Sequence, residues 1–132
     1  MASKLTPEQR PAFVLANLLH DTANAIKVHN DAAYDAGKIT LEDYIDNVGR
    51  ETEIRTIATN IVARDLSNVV REVSDAGARI EEAIEEANAR IAEVKKLKDG
   101  IAIFAAVIAL ATAVSQSNVP AAIAAANELR KV

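Results

Sequence analysis

The sequence predicts an all-α protein: an antiparallel helical hairpin or bundle with one very long central helix and a short hydrophobic helical hairpin at the C-terminal end. Three observations carry that expectation. The 132 residues include 27 alanines but only four glycines and three prolines, so helix formers abound and breakers are few. Aromatic residues make up 3% of the chain, too few for the usual strand-rich core. Apolar residues recur at three- and four-residue steps along most of the length, which is the period of a helix face. The mass of 14.1 kDa suits a single helical domain spanning residues 1–132.

The first helix is expected over residues 7–36. Thr6 reads as its N-cap, Pro7 suits the first helical position, and Gln9 completes a capping box. Leu15, Leu18, Leu19, Ala25, Ile26 and Ala33 supply the apolar stripe. Gly37 is a natural stop. Thr40, with Asp43 three residues on, then opens a second helix after a short turn, so the two should pair antiparallel.

The second helix is expected over residues 41–98, because no proline occurs between Leu41 and Pro120. Unbroken, it would be roughly 87 Å long. Its stripe starts at Leu41, Tyr44, Ile45 and Val48, then slips in phase near Gly49 before resuming at Ile54, Ile57 and Ile61. Gly49 and Gly77 are the two points where it could break. From Ile80 through Ile84 and Ile91 to Val94 the apolar steps follow a heptad pattern, so these four residues are the expected interaction seam of a local coiled coil. Glu51–Arg55, Asp75–Arg79 and Glu86–Arg90 have the spacing of favourable helix pairs. Glu81, Glu82, Glu85 and Glu86 read as a solvated acidic face. Lys95, Lys96 and Lys98 suit the negative end of this helix, which Asp99-Gly100 should close.

Charge is spread unevenly. Residues 1–100 carry 13 basic and 18 acidic groups, whereas residues 101–127 carry none. This uncharged stretch is expected to form a hairpin over residues 101–131, interrupted at Ser115-Gln116-Ser117-Asn118 and restarted near Pro120. Ile101, Ile103, Phe104, Val107, Ile108, Leu110 and Val114 make its first arm apolar all round. Such a helix belongs in the middle of a bundle, against a partner protein, or in a lipid bilayer. In the last case Lys95, Lys96 and Lys98 would anchor it at the headgroups.

Little in the sequence points to catalysis. Without cysteine there is neither thiol chemistry nor a thiolate metal site. His20 and His29 lie nine residues apart, roughly 180° around one helix, and cannot share a metal from that helix. The residues three before them, Asn17 and Ile26, do not complete the Glu-x-x-His pairs of carboxylate-bridged metal bundles. No phosphate-binding glycine loop or nucleophile elbow occurs. The arginines are scattered among acids, and the net charge is −4, which gives no nucleic-acid footprint.

The expectation is therefore a non-enzymatic protein without cofactor or metal. It would act by helix packing as a scaffold, adaptor or assembly subunit, with itself or another helical protein as partner. The alternative is a membrane-active protein of pore-forming or lysis type that inserts residues 101–126. The start of the chain lacks the apolar segment of a signal peptide, so the cytoplasm is the expected compartment.

Overall fold

A computed structural model describes residues 9–132. Among them it contains six helices and no strand: α1 (Pro11–Asp35), α2 (Leu41–Ala63), α3 (Ser67–Asp75), α4 (Ile80–Glu93), α5 (Leu97–Ser115) and α6 (Val119–Lys131). The α1–α2 pairing is the most extensive. The other side of α1 packs on α4, α5 lies against α2 and α6, and α6 also reaches α4. The short α3 packs on α1, α6 and α4. One continuous apolar core results, with Leu15, Leu19, Ile54, Ile61, Ile84, Ile91, Phe104 and Leu110 all fully buried.

The described part of α1 begins at Pro11, later than the sequence suggests; the expected Thr6–Pro7 cap lies outside the described residues. Pro11 explains this start. Inside a helix begun at Pro7 its ring would strike the preceding turn, and it has no N–H to donate, whereas the first helical position tolerates both. The chain is pinned there by an Arg10–Asp65 ion pair and by the Ala12 N–H, which donates to Ser67 Oγ at 3.2 Å.

The expected long helix does not exist: residues 41–98 are divided among α2, α3, α4 and the first residues of α5. Two of the three breaks share one C-terminal geometry, in which a residue with positive φ lets its own amide and the next one turn back onto orphan carbonyls. At the end of α2 this residue is Asp65 (φ 44°), and Leu66 N–H donates to Ile61 O at 3.1 Å. At the end of α3 it is Gly77 (φ 86°), and Ala78 N–H donates to Val73 O at 3.3 Å. In both cases the residue after the turn is buried, so the corner is held by core packing as well as by hydrogen bonds. Gly37 and Ser117 end α1 and α5 in the same way. Gly49, by contrast, breaks nothing: it sits exposed within α2, where a glycine costs only about 1 kcal/mol.

The third break falls at Val94 and Lys96, both extended, so Asp99-Gly100 does not end a helix as expected. Asp99 lies in the first turn of α5, where its charge suits the positive helix end, and Gly100 is buried within α5. Phe104 explains Gly100: a Cβ there would stand 3.3 Å from the phenyl Cζ and 3.3 Å from Val94 Cγ1. Breaking the chain three times lets α3, α4 and α5 fold back on α1 and α2. A single rod would have left those apolar faces in water.

Besides Ser67, buried polar groups among the described residues enter the core at two places, and both fix how helices align. Thr22 of α1 is fully buried within bonding distance of Asn88 of α4, which also donates to Leu18 O at 3.2 Å. Between α1 and α2, buried Asn47 donates to Asn30 Oδ1 at 3.1 Å, and Asn30 donates to Tyr44 O at 3.0 Å. Asn47→Ala leaves the Asn30 oxygen buried without its donor, so a loss of about 1–3 kcal/mol is expected in urea unfolding. An unchanged midpoint and slope would mean that this amide pair contributes nothing to the α1–α2 pairing.

Candidate docking surface

The expected interaction seam is internal. Ile80, Ile84 and Ile91 are fully buried, and Val94 is half-buried, because α1 and α6 of the same chain cover this face of α4. Ile80, Ile84 and Ile91 therefore offer no exposed surface in the folded chain. Most of the large apolar residues of the hairpin's first arm are also core: Ile103, Phe104, Val107, Leu110 and Val114 are buried, while Ile101 and Ile108 are half-buried. Lys95, Lys96 and Lys98 are exposed, but they lie in the α4–α5 link and the first turn of α5, the positive end of a helix rather than the expected negative end.

Of the three expected charge pairs, Glu51–Arg55 forms at 3.1 Å. Asp75 and Arg79 are separated by the corner after α3, and Arg79 meets Glu82 instead at 3.6 Å. Arg90 donates to Leu129 O at 2.8 Å, tying α4 to α6. Glu82, Glu85 and Glu86 are exposed, whereas Glu81 is half-buried. Burial, and then the neighbouring Glu85, raise the Glu81 carboxyl above its ordinary range.

The surface that stands out is the first half of α2. Leu41 is 57% exposed, Ile45 58% and Val48 38%. Their spacing of four and three residues puts them on one face. On the same half-helix, the side turned toward α1 is polar: Tyr44 hydroxyl donates to Asp31 at 2.8 Å, Asn47 meets Asn30, and Arg50 donates to Asn47 Oδ1 at 2.7 Å. Amphipathicity is inverted here, with polar groups in the helix–helix contact and aliphatic ones in water. After the phase slip the order becomes normal again, with Ile54, Ala58 and Ile61 fully buried. The six-residue step from Val48 to Ile54 carries the stripe about two thirds of a turn around the helix, from solvent to core.

A ladder of polar contacts stiffens this tip. Lys27 donates to Asp31 at 2.8 Å, and the Tyr34 and Tyr44 rings lie 4.9 Å apart. Hydrogen bonds from Lys27 and then Tyr44 hold the Asp31 carboxyl below its ordinary range, and the bond to Asp31 raises Lys27 in turn. Arg55 joins Glu51 and donates to Asn24 Oδ1 at 2.7 Å. On α1, Val28 is 69% exposed in a shallow groove of about 410 Å³ with Ala25, Ala32 and Ala92.

His29 borders that groove, its Nε2 2.9 Å from Val94 O, and no group of three or more metal-ligating side chains converges among the described residues. Comparison of the chain with protein-family models, with curated proteins and with solved structures finds no match. Sequence reasoning placed Leu41, Ile45 and Val48 in the buried stripe. The phase slip after Val48 was the signal that they face elsewhere.

Proposed function

We propose that this all-helical protein is a non-enzymatic scaffold, adaptor or assembly subunit, and that it binds a partner through the outer face of the first half of α2. The observation that carries this reading is the inversion just described. A helix whose aliphatic side faces water, while buried asparagines line its intramolecular contact, forgoes hydrophobic stabilisation that a partner would supply. The tip is well braced, so its apolar face is presented on a rigid support and little ordering entropy is lost on docking.

The test is comparative affinity capture from extract of the source organism, with the wild type beside a Leu41→Ser/Ile45→Ser/Val48→Ser variant. The variant is expected to keep the wild-type melting temperature and to lose a protein that the wild type retains. Identical captured sets would sink the reading.

A second reading, membrane insertion, draws on α5. An 18-residue window of this 19-residue helix has a mean hydropathy of 1.9, and length and composition together suit a membrane span. Lys95, Lys96 and Lys98 stand exposed beside its start. Insertion would require α5 to leave the core, exposing the faces of α2, α4 and α6 that it covers. Flotation of the intact chain with anionic and neutral liposomes tests it: recovery with the vesicles supports insertion, and protein left at the bottom of the gradient counts against it.

A further inference from the structure

We propose that the occupant of the α2 face is an amphipathic helix whose apolar ridge is flanked by lysine or arginine, and that it is not a second copy of this chain. The inference rests on the docking reading above and adds the chemistry of the partner. Glu42, Asp46 and Glu53 recur at four- and seven-residue steps along α2, forming a ridge beside Leu41, Ile45 and Val48. All three are exposed, and none enters an ion pair among the described residues.

Residues 27–55, which include both ends of the Lys27–Asp31 and Glu51–Arg55 pairs, hold seven acidic and four basic side chains, a net of −3 within a chain of net −4. Most of the net negative charge of the molecule is thus gathered around its most exposed aliphatic stripe. Basic flanks would meet these carboxylates across the rim of the contact, steering the encounter and fixing orientation, while the aliphatic ridge supplies the buried area. A second copy lacks this complementarity. A two-fold pair of antiparallel α2 helices would set the Glu42, Asp46 and Glu53 ridge against itself.

The experiment is fluorescence anisotropy of the full chain with three labelled peptides of about 18 residues. One has a leucine ridge with lysine flanks, one the same ridge with glutamate flanks, and one the first composition scrambled so that no apolar face remains. The lysine-flanked helix is expected to bind, and to weaken roughly tenfold or more as salt rises from about 50 to about 300 mM. The glutamate-flanked and scrambled peptides are expected to bind at least about tenfold more weakly. Ile45→Glu should weaken the lysine-flanked peptide by roughly tenfold with the melting temperature unchanged, since residue 45 is exposed. Glu42→Gln/Asp46→Asn/Glu53→Gln should remove most of the salt dependence.

Equal binding of the glutamate-flanked peptide, still abolished by Ile45→Glu, would overturn the charge assignment and leave the docking reading standing. A wild-type dimer in sedimentation that Ile45→Glu dissociates would overturn the choice of partner in favour of a second copy. If no peptide binds, the proposal fails; if the affinity captures are also identical, the docking reading fails with it.

Discussion

Phe104→Asp is expected to abolish the cooperative unfolding transition of the soluble protein. Phe104 heads the fully buried side chains by volume, and Gly100 lies one turn before it because a Cβ there would crowd the phenyl ring. Truncating such a side chain to alanine costs about 3–5 kcal/mol, and an aspartate adds an unpaired charge among aliphatic groups. Against a stability of about 5–15 kcal/mol for a typical domain, the change removes most or all of the margin. Far-UV circular dichroism with thermal melting reads the result. The same variant separates two roles for α5. A helix held in reserve for a bilayer, and only loosely part of the soluble core, would lose lipid binding while the remaining helices melted as in the wild type. An α5 that completes the core takes the whole fold with it, which the burial of Ile103, Phe104, Val107, Leu110 and Val114 favours.

The all-helical class was legible because composition and period act over long windows and no single residue decides them. The turns were legible where their residue has no substitute. Gly37 and Gly77 take positive φ, a conformation that costs glycine nothing, and both end helices. Ser117 takes positive φ within the polar break the sequence marks, and Asp65 takes it as well, at a steric cost that tertiary packing offsets and that nothing at that position in sequence announces. Asp65 is held by neighbours distant in sequence or just beyond the turn, Arg10 and Ser67, which become its neighbours only in the fold. The heptad from Ile80 to Val94 was legible as an apolar seam. That its cover would be α1 and α6 of the same chain depended on the breaks, and so on the same hidden corner. The α2 face was half legible: the slip after Val48 marked a change of direction, but alternation alone does not tell which half turns inward. The buried Asn30–Asn47 pair settles it, since a buried amide pair pulls its own side of each helix into the contact.

Ile91→Asp is the second variant with a large expected effect, and its concentration dependence carries the meaning. Ile91 is fully buried on α4, beside Ile84 and facing elements of the same chain. Removing the aliphatic side chain costs about 2–5 kcal/mol, and the buried carboxylate adds a penalty of its own. If the seam joined two copies, the wild-type melting temperature would rise with protein concentration, and the variant would give a folded species of half the mass. An intramolecular seam leaves the melting temperature independent of concentration, and the variant loses its fold at every concentration. Scanning calorimetry over a hundredfold dilution series, with light scattering on both proteins, distinguishes these outcomes. A seam closed within one chain makes helix association on α4 a condition of folding, and the proposed recognition would then fall to the exposed face of α2. Ile45→Glu should accordingly spare the melting temperature that Ile91→Asp destroys, although each places one acid on an isoleucine of the same apolar pattern. The difference between them is burial: residue 45 is 58% exposed and residue 91 is fully enclosed.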